Sequence, residues 1–152
     1  MSDELVFHMG QFAARFPTDR SYAKNHMWAQ ESAGGYRFGF SRYAVRLLQD
    51  VYFLDWSVDA GTQLREKQQL GSVESSKAES DLYAPITGLV TEFNESLLSD
   101  PSTINVDPYG AGWLLAMEGP GDGLLSPAAY IVHLAASWAI AERTIKGQMN
   151  EA

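Results

Sequence analysis

Cysteine is absent from the 152 residues. That excludes disulfide staples, thiol nucleophiles, thiolate zinc sites and iron–sulfur ligation together. Positive charge is scarce: 11 Lys and Arg stand against 19 Asp and Glu, for a formal net charge of −8. The basic residues form no stripe, so nucleic acid is not expected as a partner. An acidic surface suits solubility and docking to basic patches on other proteins. Long apolar runs are also missing. The most apolar stretch, Tyr130 to Ala141, is interrupted by His133 and Ser137 and is too short to span a bilayer, so no membrane is expected. Met1-Ser2-Asp3-Glu4-Leu5 has early acids and neither a basic nor an apolar leader region. No secretory signal is expected from it, and a cytoplasmic protein is. There is no Gly-x-Ser-x-Gly elbow, no P-loop and no Gly-x-Gly-x-x-Gly. His8, His26 and His133 lack the spacing of a helical metal pair and are expected as surface or capping residues. Neither a catalytic constellation nor a metal site is expected.

What the chain does have is core material, with 45% hydrophobic and 12% aromatic residues, in a length that suits one domain. Residues 1–25, with Pro17, are expected to be an irregular lead-in. Met27 to Phe40 has the pattern of a hairpin, with the paired glycines of Ser32-Ala33-Gly34-Gly35 at its turn and Tyr36, Phe38 and Phe40 on one face. Ser41 is placed to cap a short helix through Leu48. Val51 to Val58 predicts a strand covered on both faces. Leu70 to Ser75 and Leu82 to Phe93 predict further strands, the latter alternating Leu89, Thr91 and Phe93 against Val90 and Glu92. Asp107 to Gly112 predicts a loop and Trp113 to Met117 a strand. From Ser126 the period becomes helical: Pro127 suits the first turn, Ile131, Leu134, Trp138 and Ile145 form a core stripe with Ala135 and Ala141, and Gly147 closes it. The expectation is a mostly-β domain with one short internal helix and a C-terminal helix.

One segment stands apart. Gly71 to Gly88 has the pattern of a strand, a small polar turn with Lys77 at its tip, and a return strand broken by Pro85 and Gly88. Small residues flank the lysine, so a modifying enzyme can reach its amine. Acylation there would cancel the charge and turn the side chain into a tether. On spacing alone, a lone lysine in an exposed hairpin is far more often an ordinary solvated residue than a modification site.

The run Glu74-Ser75-Ser76-Lys77-Ala78, then Ser80-Asp81, then Ala84-Pro85-Ile86-Thr87-Gly88, resembles the lipoyl-attachment hairpin of the glycine cleavage system H-protein family. Glu92-Phe93-Asn94-Glu95-Ser96-Leu97, Pro101, Ile104-Asn105 and Asp107-Pro108-Tyr109-Gly110-Ala111-Gly112-Trp113-Leu114 resemble its second half. Upstream, His26-x-Trp28, Gly39-Phe40-Ser41 and Ala44 resemble its opening hairpin and first helix. Biotin-carrier domains differ by flanking their lysine with methionines, where Ser76 and Ala78 stand here. The lipoyl domains of 2-oxo acid dehydrogenase complexes are shorter and lack the Asp-Pro-Tyr-Gly block.

The resemblance implies a barrel-sandwich hybrid over residues 26–124, with 125–152 as a C-terminal helical extension. It implies lipoate in amide linkage on Lys77, with Glu74, Ser75, Ala78, Ser80, Asp81 and His26 as the attachment motif and arm cleft. It implies a non-catalytic carrier whose swinging arm serves three enzymes. These are a PLP-dependent glycine decarboxylase (P protein), a tetrahydrofolate-dependent aminomethyltransferase (T protein) and dihydrolipoamide dehydrogenase (L protein). A lipoate ligase or lipoyl/octanoyl transferase would load the arm. The sequence departs from the family at its Ser-His-Glu-Trp motif, here Asn25-His26-Met27-Trp28, so the carboxylate that would face a loaded amine is missing and a Met27→Glu change is expected to restore it. Asp81 is retained. A carrier for another lipoate-dependent system, such as sulfur oxidation or lipoate relay, and an unmodified scaffold stay open.

Overall fold

The computed structural model describes residues 3–150, with side chains as far as Arg143. In chain order the elements are β1 (Glu4–Met9), β2 (Phe12–Pro17), β3 (Ser21–Tyr22), β4 (Met27–Ser32), β5 (Gly35–Phe40), α1 (Arg42–Leu48), β6 (Val51–Trp56) and β7 (Gln63–Leu64). Then follow β8 (Gln69–Ser75), β9 (Glu79–Tyr83), β10 (Gly88–Phe93), α2 (Ser96–Ser99), α3 (Thr103–Val106), β11 (Leu115–Glu118) and α4 (Pro127–Asn150). A six-stranded sheet in the order β3-β4-β5-β11-β10-β7 faces a three-stranded sheet, β6-β8-β9, and β1-β2 is a separate ribbon.

Alternation along the strands builds two cores. Met27 and Ala29 of β4 point into the space between the two larger sheets, with Phe38, Leu54, Val73, Leu82, Val90 and Met117. Trp28, between them in sequence, points to the other side and packs with Phe16, Tyr22, Tyr43, Tyr130 and Leu134. The six-stranded sheet is therefore covered on one face by β6-β8-β9, and on the other, at its β3-β4 end, by β1-β2 and α4.

The Met27–Phe40 hairpin forms as expected, but its glycines divide the work. Ala33 and Gly34 are the turn, with φ of 47° and 84°, which matches strand twist in a two-residue loop. Gly35 lies in β5, where a Cβ would collide with the Met117 carbonyl. Ser41 caps α1 by accepting from the Ala44 N–H at 3.5 Å.

Several expectations are corrected. Residues 4–17 form an antiparallel ribbon paired from Glu4↔Pro17 to Met9↔Phe12, not an irregular lead-in. One face of it, with Met9, Ala14 and Phe16 buried, packs toward α4 and α1, a tertiary fact that local pattern does not carry. β6 is not covered on both faces: a bulge between Val51 and Phe53 turns Tyr52 (61% exposed) and Phe53 (47%) outward together. The predicted Leu82–Phe93 strand is split into β9 and β10 at Ala84–Thr87, and a second bulge between Val90 and Glu92 breaks its alternation. Two one-turn helices, α2 and α3, each bury one anchor, Leu97 and Ile104. In α4, Ser126 Oγ accepts from Ala129 N–H at 3.1 Å, as a cap should. The buried pair is Tyr130 and Leu134, with Ile131 and Trp138 partly covered, Ala135 exposed and the Ile145 side chain outside the described residues. The helix passes through Gly147 to Asn150. Among the described residues no helix is long and apolar enough to cross a membrane.

Gly39 tests the packing of the two layers. A Cβ there would lie 2.6 Å from the Trp28 indole, which is tied down by its own Nε1–H donating to Pro108 O at 2.8 Å. Gly39→Ala is expected to cost about 2 kcal/mol in urea denaturation, and an unchanged midpoint would show that the indole yields freely.

Candidate functional site

Lys77 sits in a four-residue turn, Ser75–Ala78, joining β8 to β9. Ser75 N–H donates to Ala78 O at 2.9 Å, closing the turn. The Ser75 hydroxyl is buried and used three times: it accepts from the amides of Lys77 (3.3 Å) and Ala78 (3.2 Å) and donates to Ala78 O (3.1 Å). The next residue anchors the turn sideways. Ser76 N–H donates to Asp50 O at 2.9 Å, and Asp50 N–H donates back to Ser76 Oγ at 3.1 Å. Asp50 follows Gln49, whose φ of 61° ends α1. Asn105 of α3 clamps both sides of it, accepting from Val51 N–H at 2.9 Å and donating to Gln49 O.

The Lys77 side chain is exposed, as are Ser76 and Ala78. Among the described residues the ion pair is Arg20–Asp19, so no carboxylate holds the lysine ammonium. Strand register places Glu74 opposite Glu79 and Ser72 opposite Asp81, with Phe53 and Asp55 in the same two rows of β6. The outer face of this sheet is therefore acidic with an exposed aromatic, directly behind the turn. Ser80 lies opposite Val73, half-buried on the inner face.

Of the predicted site residues, Glu74, Ser75, Lys77, Ala78, Ser80 and Asp81 share this hairpin, and His26 does not. His26 has a φ of 73° and lies in the second cluster, its ring 5.5 Å from His133 and 4.7 Å from Tyr43, with Nδ1 3.0 Å from Tyr130 Oη. It is neither a plain surface residue nor a cap. Burial, and then the neighbouring His133, lower its pKa to about 4. No cluster of three or more metal-ligating side chains occurs among the described residues. Asn25 joins the far end of β9, donating to Tyr83 O at 3.0 Å. Met27 is 1% exposed in the main core, so a glutamate there would meet apolar side chains. A cavity of about 670 Å³ at the other end of β6, under Trp56, Phe93 and Trp113, contains none of the predicted site residues. Asp50 and Asn105, which hold the turn, carry no local sequence signal of that role.

A profile of the family described as Glycine cleavage H-protein matches residues 20–123. The chain belongs to that family. It is 40% identical over 122 residues to the glycine cleavage system H protein of Halorhodospira halophila, covering 77% of this chain and 93% of that one. It is 44% identical over 115 residues to the same protein of Beutenbergia cavernae, covering 75% and 92%. The crystal structure of a glycine cleavage system H protein from Mycobacterium marinum superposes with a TM-score of 0.69 at 35% identity, over 79% of this chain and 99% of that one. The fold is the barrel-sandwich hybrid of the H proteins. The span matched by the profile leaves out β1, β2 and α4, which together pack on the back of the six-stranded sheet at its β3-β4 end.

Two substitutions probe the motif where the chain departs from the H-protein pattern. Met27→Glu is expected to destabilise the fold by about 3 kcal/mol, because it buries an unpaired carboxylate; retention of the wild-type urea midpoint would mean that the side chain reaches water. For His26, the unfolded chain takes up a proton near pH 6.5 that the folded state refuses until about pH 4. Its contribution is flat above pH 6.5 and costs roughly 1 kcal/mol of stability per pH unit as pH falls through that window. Urea midpoints at pH 7.5 and 5.0 should separate more for wild type than for His26→Asn, since Asn tolerates the positive φ.

Proposed function

We propose that this H-protein family member is the lipoyl carrier of a glycine cleavage system, with Lys77 as the attachment residue. The observation that carries the reading is the lysine itself: exposed, free of ion pairing among the described residues, and mounted on a turn whose polar groups are satisfied without it. Such an amine is open to an acyl-transferring enzyme, and converting it to an amide costs the fold nothing, because the fold does not use its charge.

Lipoate, when attached, supplies a disulfide able to take up and release the aminomethyl group. This chain's residues supply position. Ser75 and the Asp50–Ser76 pair fix where the arm begins. Glu74, Glu79, Asp55 and Asp81 surround that origin with negative charge and Phe53 with apolar surface, a face for a loading enzyme or for the glycine decarboxylase, aminomethyltransferase and dihydrolipoamide dehydrogenase to recognise. The protein performs no bond-making step of its own.

A second reading is a carrier for a different lipoate-dependent reaction. It is favoured by one observation, the burial of Met27 where the family motif has a carboxylate. Intact-mass measurement after co-expression with a lipoate ligase is expected to show one added lipoyl group on wild type and none on Lys77→Ala. The loaded protein is then expected to support exchange of labelled bicarbonate into glycine by the decarboxylase, with a loss of at least a hundredfold for Lys77→Ala. Loading without exchange would select the second reading, and no loading would leave only a scaffold.

A further inference from the structure

Positive charge is rare in this molecule, yet two arginines stand one helical turn apart beside the lysine turn. Arg42 and Arg46 of α1 line a pocket of about 360 Å³ with Phe12, Gln49, Asp50 and Asn105. Neither guanidinium is in an ion pair among the described residues. Both are nevertheless held. Arg42 Nη1 donates to the Asn105 carbonyl at 3.3 Å, and the Arg46 guanidinium lies 4.4 Å above the Phe12 ring. A guanidinium fixed through its face or one nitrogen keeps its remaining N–H donors free and ordered, which lowers the entropy cost of taking a planar anion. Asp50 is the single carboxylate in the lining, against two positive charges.

The pocket is mechanically continuous with the site. Asp50 is the residue that Ser76 grips, and Asn105 holds the backbone on both sides of it. Phe12, which stacks on Arg46, belongs to the β1-β2 ribbon outside the span that matches the H-protein family. The pocket is thus completed by a residue outside the span that the family profile matches.

We propose that the Arg42–Arg46 pocket is a docking site for a carboxylate-bearing segment of the enzyme that acts on the Lys77 arm. The inference rests on the carrier reading. Two preset guanidinium groups match side-chain carboxylates in charge and in fork geometry, and the acidic face behind the turn lies on the three-stranded sheet rather than on α1. Partner recognition then has two signs, with negative charge on β6-β8-β9 and positive charge on α1.

Two measurements test it. In amide and arginine-side-chain NMR spectra of the full-length protein, a capped tetraglutamate peptide is expected to shift Arg42, Arg46, Gln49 and Asn105, and Arg42→Gln/Arg46→Gln is expected to abolish those shifts. Absence of localised shifts, or shifts that persist in the double variant, would overturn the proposal. A larger response to inorganic phosphate at equal concentration would overturn it in favour of a phosphate ligand. In the glycine–bicarbonate exchange assay, the lipoylated double variant is expected to raise the KM for carrier roughly tenfold at low salt, with the difference fading as salt rises. Arg65→Gln/Arg143→Gln, which removes the same net charge elsewhere, is expected to leave KM near wild type; an equal effect of the two pairs would mean that only net charge matters. Mass measurement of lipoyl loading on each variant separates a failure of this pocket from a failure of Lys77 as attachment site.

Discussion

The hydroxyl of Ser75 and the paired hydrogen bonds between Ser76 and Asp50 set the terms for the rest of this molecule. A lysine can stand alone in water at the end of a hairpin only if the turn beneath it leaves no backbone group wanting a partner. Ser75, 5% exposed, absorbs the amides of the two residues that follow Ser76, and Ser76 exchanges hydrogen bonds with Asp50 on the next segment. The turn is then both closed and fixed in direction. In the proposed carrier role, a floppy lysine would be as reachable but would begin its arm from a different place each time, and the advantage of a tether lies in a defined origin.

That origin is braced from the far side of the fold by a continuous run of contacts. Tyr22 and Tyr130 stack with centroids 4.5 Å apart and planes within 2°. The Tyr130 hydroxyl is 2.8 Å from Ser41 Oγ, and Ser41 caps α1. At its other end α1 delivers Gln49 and Asp50 to the lysine turn. The ribbon and α4 thus stiffen, through α1, the platform on which Lys77 stands. Buried tyrosines need hydrogen-bond partners, and here the partner is a helix cap, so stability and site geometry are served by the same atoms.

What could be seen in the sequence was whatever is local. Ser41, Pro127 and Ser126 announce helix starts because capping is a matter of adjacent residues, and the Ser32–Gly35 stretch announces a turn for the same reason, although which two of its residues take positive φ is not legible. The exposed turn that carries Lys77 is legible because its residues are small and polar over a short run. The bulges at Tyr52 and Thr91 are not, since a bulge is decided by the partner strand. The ribbon at residues 4–17 was missed because its apolar residues bury against a helix more than a hundred positions later. Spacing alone gives His26 a surface or capping role, and the burial it has instead is hidden for a related reason: its neighbours Tyr43, Tyr130 and His133 all come from other segments.

The residues that make the family resemblance strongest turn out to be scaffold. Asp107 accepts from the Gly110 and Gly112 amides through its carbonyl and from Ala111 through its carboxylate. Pro108 O receives the Trp28 indole. The Tyr109 hydroxyl accepts from Arg42 N–H and donates to Arg15 O, joining α1 to the ribbon. Tight turns tolerate few alternatives, so this block is specific without touching the chemistry. The proposed carrier role asks much less of the chain, one amine in the right place. Met27 follows from that asymmetry. At a position where the motif would offer a carboxylate, this fold uses the side chain to fill its main core instead. The scaffold tolerates that exchange because neither the turn at Lys77 nor its brace at Asp50 and Asn105 draws on residue 27.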